Sequence, residues 1–188
     1  TPAHLNQLMS QGKLDLSVVS SIEYARNPEN YFILPDLSIS CHGSVKSVLL
    51  LSRVPINKLG GETILSSSHS HTSVALLKIL FSFRFGLEIM CKIGDCTKAL
   101  TQDELPAAFL AIGDEALRFR NHEMYPYRLD LGEAWHSWKG LPFVFALWVI
   151  QREAVEKWNG RLKDAVTALL TAKEWGCRHI DKICSRAA

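Results

Sequence analysis

Residues 62–83, ETILSSSHSHTSVALLKILFSF, pass from a short β-prone run through a polar stretch into an apolar run long enough for a buried helix. A strand that ends in hydroxyl residues where a helix begins leaves unpaired backbone N–H groups and the positive end of the helix dipole beside Ser and Thr donors. Such a junction can hold a carboxylate or a phosphate. Ser and Thr are also the ordinary N-caps of helices, so capping accounts for the same residues.

The same junction occurs elsewhere in the chain. A half-buried strand pattern over residues 14–19 ends at Ser20 and Ser21, where a helical turn begins, and the apolar run 107–112 is followed by Gly113 and Asp114. Strands and helices alternate, which predicts an α/β fold with mostly parallel sheets and flanking helices. Since ligands bind at the carboxyl ends of strands in such folds, we expect these junctions to converge on one small-molecule cleft.

The remaining segments fit this alternation. Pro, Asn and a Gly pair make residues 55–61 the best candidate for a hinge. Further strands are predicted at 31–34, 37–41, 45–52, 87–93, 127–129 and 141–150, and helices at 132–138 and from 151 onward.

Composition excludes several classes of protein. The 188 residues are 47% hydrophobic and 21% charged, which is typical of a globular chain that buries a core. The net charge of +2 is too small for a nucleic-acid surface, and the apolar run 141–150 is too short for a membrane helix. Five cysteines without a C-x-x-C pair favour reduced thiols and a cytoplasmic location. His69 and His71 alone make a weak metal signal, so we expect no metal.

Seven blocks of sequence, taken in order, resemble the chorismate dehydratases of menaquinone biosynthesis by the futalosine route. They are LDLSVVSSIEYA (14–25), LPDLSI (34–39), SVKSVLLLSR (44–53), SHTSVALL (70–77), IGDEAL (112–117), DLGEAW (130–135) and GLPFVFA (140–146). The resemblance implies a fold like the type II periplasmic binding proteins, in which two α/β lobes close on a ligand.

On this resemblance, residues 1–56 begin lobe I, residues 57–142 form lobe II, and residues 143–188 return to lobe I as a helical tail. The chain would cross between lobes near residues 53–58 and 139–143. Family members usually begin with another strand and helix and continue with further helices, so the resemblance implies a chain truncated at both ends.

The resemblance also implies a reaction, the loss of water from chorismate to give 3-[(1-carboxyvinyl)oxy]benzoate, without a cofactor. The partner is then a small dicarboxylate, and neither nucleic acid nor a membrane is involved. Ser20 and Ser21 from one lobe and Ser70, Thr72 and Ser73 from the other are the candidates for binding its carboxylates, with helix capping as the alternative role of each. The oligomeric state stays open.

Two further residues are candidates for lining the cleft. Ser47 is either a cleft residue or a hydroxyl within a buried strand. Asp114 either orients the substrate hydroxyl or, as we expect, caps the helix that contains Ala116.

The sequence does not decide which group removes the proton. His69 and His71 are candidates, although a histidine in a loop is more often merely solvated, and the substrate's own side-chain carboxylate is another candidate. Two other functions fit the same fold: the 1,4-dihydroxy-6-naphthoate synthase of the same pathway, and a non-catalytic domain that binds or senses a small carboxylate.

Overall fold

The computed structural model describes residues 2–66, 71–101, 105–158 and 160–187. Its strands are β1 (Leu16–Ser20), β2 (Tyr31–Cys41), β3 (Val48–Ser52), β4 (Thr63–Ser66), β5 (Met90–Ile93), β6 (Ala108–Ile112), β7 (Tyr127–Asp130) and β8 (Phe143–Gln151). Its α-helices are α1 (Pro2–Ser10), α2 (Ser21–Arg26), α3 (His71–Ile79), α4 (Cys96–Ala99), α5 (Asp114–Phe119), α6 (Leu131–Lys139), α7 (Arg152–Trp158), α8 (Arg161–Arg178) and α9 (Ile180–Ala187). A π-helix, Leu80–Phe85, continues α3.

The strands form two sheets, each with helices against it. The first sheet has the order β1-β8-β2, and the second has the order β5-β4-β6-β3-β7. The predicted α/β fold with flanking helices is therefore confirmed, because each sheet packs its apolar side chains against helices.

The prediction of mostly parallel sheets was wrong. Of the six pairings between the described strands, only β4 with β5 and β4 with β6 are parallel. The first sheet is antiparallel because β8 enters it from the second sheet, running opposite to both β1 and β2. Hydrophobic periodicity reports that a strand is buried but carries no information about the direction of its neighbours.

The core of the second sheet lies on both of its faces. All five residues of β3 are buried. Two consecutive residues within it, Leu50 and Leu51, belong to different apolar clusters. Successive side chains of a strand point to opposite faces, so one cluster packs under α3 and α6, and the other packs under α4 and α5.

Sheet membership also corrects where the chain first crosses between the sheets. β2 ends in the first sheet and β3 already lies in the second, so the crossing occupies residues 42–47 rather than residues 53–58. The apolar run that predicted β3 does not tell which sheet will take it. The return passes through α6 and residues 140–142 into β8. The predicted end of the first segment, residues 1–56, therefore moves to residues 42–47, and the assignment of residues 57–142 and 143–188 to lobes stays a prediction.

β2 is one strand, although two were predicted on either side of Pro35 and Asp36. Its pairing with β8 shifts register between Ile33 and Ser38, and Asp36 adopts a positive φ of 61°. The irregularity turns Leu34 and Leu37 into an apolar cluster under α8, so the break in the sequence pattern marks a bulge and not the end of a strand.

The two crossings pack closely where α6 begins. A Cβ atom added at Gly132 would lie 2.6 Å from Cys41 Sγ and 2.7 Å from the backbone oxygen of Gly43. Only a glycine lets the first turn of α6 approach the first crossing this closely.

The variant Gly132→Ala tests this contact. We expect its free energy of unfolding to fall by about 1 to 3 kcal/mol, since the new methyl group meets backbone that cannot move aside cheaply. Gly176→Ala in α8 is the control, because its Cβ would meet only Ile183 Cδ1 at 3.7 Å, and we expect a gain of about 0.5 to 1 kcal/mol. Chemical denaturation measures both, and equal stabilities would contradict the close contact.

Candidate functional site

One edge of the second sheet carries the predicted hydroxyl-rich junctions. β4 ends at Ser66 and β6 ends at Ile112, and these two parallel strands are neighbours. β3 runs antiparallel to β6, so Ser47, just before β3, lies at the same edge. The N–H of Gly113 donates to the backbone oxygen of Ser47 at 2.7 Å, which ties the ends of β6 and β3 together.

The first sheet brings its own junction to this edge. β1 ends at Ser20 and α2 begins at Ser21. The hydroxyl oxygens of Ser21 and Thr72 lie 3.4 Å apart, and the N–H of Ile22 donates to Thr72 Oγ1 at 3.3 Å. The starts of α2 and α3, which come from different sheets, are therefore in contact.

Thr72 caps α2 from the other sheet. Ser20 is the N-cap residue of α2 by position, yet its side chain makes no capping hydrogen bond. The N–H of Ile22 is one of the free donors at the start of a helix, and the Thr72 hydroxyl accepts from it. Thr72 therefore does act as a cap, but for α2 and not for its own helix α3.

The described site residues differ in burial. Ser20, Ser66, Thr72 and Ser73 are buried. Ser21 and Ser47 are half-buried, and Asp114 is exposed. Ser70, like His69, lies outside the described residues.

The expectation that Asp114 caps its helix was wrong. α5 begins at Asp114 itself, and Gly113 is the N-cap residue with a φ of 62°. The N-cap position, from which a side chain accepts the N–H groups of the first turn, is thus held by a glycine without a side chain, and α5 has no side-chain capping hydrogen bond. Ser47 is likewise no strand hydroxyl, because β3 begins one residue later; its hydroxyl donates to the oxygen of Val45 at 3.4 Å.

The polar side chains buried at the junction are all neutral. The buried polar residues of the described chain are Asn6, Ser17, Ser20, Ser52, Ser66, Thr72 and Ser73. His71 is the first residue of α3 and is exposed. Within the described ranges, no three His, Cys, Asp or Glu side chains are grouped as metal ligands would be. The described helices include none with the length and apolarity needed to cross a bilayer.

Asn6 is a residue of this site that the sequence analysis missed. It lies on α1, is only 4% exposed, and makes two hydrogen bonds to Ser20. One sequence signal could have indicated it: Asn6 lies three positions before Met9, so the two share a helix face, and a polar residue on an apolar face is typical of a buried hydrogen bond.

Asp130 joins the two crossings beside the site. Its carboxylate caps α6 by accepting the N–H of Glu133 at 3.0 Å. It also accepts the Ser44 hydroxyl at 2.7 Å and the N–H groups of Val45 and Lys46 at 3.1 and 2.7 Å. One side chain therefore fixes the first crossing to the helix that forms the second.

These hydrogen bonds shift the acidity of Asp130. Burial alone would raise the pKa of its carboxyl, but the hydrogen bonds from the Ser44 hydroxyl and from the N–H groups of Glu133, Val45 and Lys46 outweigh burial. The pKa therefore lies below its usual value of 3.8. A carboxyl with a lowered pKa stabilises the fold above the pKa of the unfolded chain and loses that effect as the pH falls through the folded pKa.

The arrangement of the two sheets is shared with known structures. The structure of a Candida albicans protein described as having the generic periplasmic binding protein fold matches this chain with a TM-score of 0.63 at 10% identity, over 96% of this chain and 60% of that one. The fold is therefore of the periplasmic-binding-protein type. The sequence matches the menaquinone biosynthesis family over residues 1–188, and the chain belongs to that family.

Two curated relatives are chorismate dehydratases. The protein from Thermus thermophilus is 31% identical, and the match covers 100% of this chain and 71% of that protein. The protein from Campylobacter jejuni is also 31% identical, over 83% of this chain and 54% of that protein. The chain thus spans about half to about seven-tenths of the length of these relatives.

The variant Asp130→Asn tests the joint between the crossings. At pH 7 we expect it to lower the free energy of unfolding by about 1 to 2 kcal/mol, the lower part of the range for hydrogen bonds to a charge, because the carboxyl is only partly shielded from water. The difference from wild type should shrink as the pH falls through 3.8 and below, since the wild-type carboxyl then takes up a proton. Denaturation at several pH values measures it. Asp164→Asn, on the exposed surface of α8, is the control, and a pH-independent difference for Asp130→Asn would contradict the assignment.

Proposed function

We propose that this chain is a chorismate dehydratase, which eliminates water from chorismate to give 3-[(1-carboxyvinyl)oxy]benzoate. Its membership of the menaquinone biosynthesis family supports this function. Two relatives that carry the name chorismate dehydratase, each 31% identical to this chain, support it further.

The reaction needs little chemistry from the protein. A ring C–H bond and the ring C–OH bond break, the electrons of the C–H bond become the third double bond of the aromatic ring, and the hydroxyl leaves with the proton as water. Aromatisation supplies the driving force. The protein has to hold a dianion in one orientation and to bring a proton acceptor beside the C–H bond.

The contact between the starts of α2 and α3 carries the proposal. In this proposal Ser20 and Ser21 bind the substrate from one lobe, and Thr72 and Ser73, together with the sequence-predicted Ser70, bind it from the other. Since Thr72 Oγ1 lies 3.4 Å from Ser21 Oγ, carboxylates bound at these two junctions would be held by both lobes at once. An oxygen of a carboxylate would replace the Thr72 hydroxyl as the acceptor of the Ile22 N–H, in a stronger, charge-assisted hydrogen bond.

Ser47 and Asp114 form the rim of this site. Both lie at the edge of the second sheet that holds the end of β4. Ser47 would donate to a substrate oxygen, and the exposed Asp114 would accept from the leaving hydroxyl.

The proton acceptor in this proposal is the side-chain carboxylate of chorismate itself. The buried polar residues of the site are hydroxyls and an amide, none of which is a base at neutral pH. A neutral, largely water-free site leaves a substrate carboxylate more basic than it is in water. His71, the described histidine of the loop, is exposed to solvent at the first position of α3 and is not among the buried groups of the site.

Incubation with chorismate tests the function directly. We expect a product that is lighter by one water and has the ultraviolet absorbance of a benzoate, detected by liquid chromatography with mass spectrometry. Unchanged chorismate that nevertheless binds tightly by calorimetry would replace the enzyme with a non-catalytic binding protein. Formation of any other product would overturn the proposed reaction.

The variant Thr72→Val tests whether the Thr72 hydroxyl binds a carboxylate of the substrate. The change keeps the shape of the side chain and removes the hydroxyl, so we expect kcat/KM to fall by about 10- to 100-fold, the effect of one hydrogen bond to a charged group. Thr167→Val is the matched control, because the Thr167 hydroxyl donates only to Lys163 on the outer surface of α8. Steady-state kinetics with chorismate measures both variants. A Thr72→Val enzyme as active as the control would contradict the role of Thr72.

The variant His71→Gln tests the choice of proton acceptor. If the substrate supplies the base, kcat should stay within about 3-fold of wild type, well short of the hundredfold or greater loss that removal of a general base causes. The pH dependence of kcat should also keep its shape. A hundredfold or greater loss of kcat would assign the proton transfer to His71.

A further inference from the structure

The amide of Asn6 makes two hydrogen bonds to Ser20 whose directions are fixed. The backbone N–H of Ser20 donates to Asn6 Oδ1 at 2.9 Å, and a backbone N–H can only donate. The carbonyl side of the amide must therefore face it. The other end of the amide is then the NH2 group, and it donates to Ser20 Oγ at 2.8 Å.

This arrangement decides what the Ser20 hydroxyl can do. Because its oxygen accepts from Asn6, its own hydrogen stays available for donation to another group. Ser20 is only 6% exposed, and its side chain makes no capping bond to α2. Among the described residues, no acceptor for this hydrogen is found. The geometry of the Asn6 amide thus leaves the Ser20 hydroxyl as a donor that a bound carboxylate can accept.

The position of Ser20 indicates where that acceptor lies. Ser20 ends β1, and the hydroxyl oxygen of the next residue, Ser21, lies 3.4 Å from that of Thr72. A ligand bound between the starts of α2 and α3 would contact Ser21, and Ser20 with its donor hydroxyl is the adjacent residue in sequence.

We propose that Asn6 is a positioning residue of the substrate site: it holds the Ser20 hydroxyl as a donor directed at a carboxylate of the substrate. This inference rests on the proposed function for the identity of the substrate. Asn6 acts through Ser20 and does not touch the substrate itself. α1 supplies a rigid support, since Asn6 and Met9 are the buried residues of the helix that packs against β1.

The variant Asn6→Asp reverses the direction of the hydrogen bond without changing the shape of the side chain. One carboxylate oxygen still accepts the N–H of Ser20, but the other now accepts from the Ser20 hydroxyl. That hydroxyl then presents its lone pairs, and no longer its hydrogen, to the substrate. Protonation of the new carboxyl would restore a donor at the same place.

Kinetics with chorismate as a function of pH tests the proposal. We expect kcat/KM of Asn6→Asp to be reduced by about 100-fold or more at pH 8, because both the lost donor and the added charge disfavour an anion. The ratio to wild type should recover as the pH falls and the new carboxyl takes up a proton. Titrations shared with wild type cancel in this ratio. A ratio that is the same at every pH would overturn the proposal, because the charge on the new carboxyl would then affect neither the Ser20 donor nor the binding of the anion.

A double-mutant comparison gives a second, independent readout. Ser20→Ala should lower kcat/KM by about 10- to 100-fold, and Asn6→Ala/Ser20→Ala should lower it no further, since Asn6 acts only through the serine. If the two losses multiply, Asn6 does not act through Ser20 and the proposal fails. This comparison also decides the matter if Asn6→Asp does not fold.

Ser52→Ala is the control for lost stability. It removes another buried serine hydroxyl, one that donates to Val54 at the opposite end of β3 from the site. Thermal denaturation should show a similar loss of stability, while kcat/KM stays at the wild-type value.

The outcomes separate this inference from the proposed function. If wild type converts chorismate and the Asn6 variants behave like Ser52→Ala, the inference fails alone. If wild type binds chorismate without converting it, the proposed reaction fails, and the same variants are compared by their dissociation constants from calorimetry. A wild-type chain that neither binds nor converts chorismate overturns both.

Discussion

The contact on which the site depends is the hydrogen bond from the Ile22 N–H to the Thr72 hydroxyl, with the Ser21 hydroxyl beside it. A helix start needs acceptors for its first N–H groups, and here the acceptor comes from the opposite sheet. The bond is modest in strength and belongs to neutral groups, so an anion can displace it. In the proposed function, the Ile22 N–H exchanges the Thr72 hydroxyl for a substrate carboxylate on binding and returns to the hydroxyl when the product leaves.

Two features away from the contact set its geometry. Asp130 holds the first crossing against α6 with four hydrogen bonds, and Gly132 lets the helix approach without a side chain between them. Asp130 joins both segments that connect the two sheets, so a displacement of one sheet relative to the other would strain or break its hydrogen bonds. The low pKa of the Asp130 carboxyl follows from the same hydrogen bonds, so the joint is fully charged at neutral pH.

The sequence predicts part of this structure well. Helix starts after short strands were found at Ser20 and at Thr72 because hydroxyl residues between an apolar strand and an apolar helix are typical of the place where a helix begins. The direction of the strands was not predictable, because antiparallel partners such as β1 and β8 are separated by more than a hundred residues and periodicity does not encode pairing. Asn6 and the hydrogen bonds of Asp130 to the first crossing were missed for a related reason: these partners are distant in sequence, and a single Asn or Asp carries no local signal of a distant partner.

In the proposed binding mode, a carboxylate of the substrate takes the place of the Thr72 hydroxyl at the start of α2. The most direct measurement is a nuclear magnetic resonance titration of the 15N-labelled protein with the dehydration product, followed at the backbone amide of Ile22. We expect this amide proton to move downfield with a saturable dependence on ligand, because a hydrogen bond to a carboxylate is shorter and stronger than one to a hydroxyl. Saturable shifts elsewhere in the protein, with the amides of Ser21 and Ile22 unchanged, would contradict the claim.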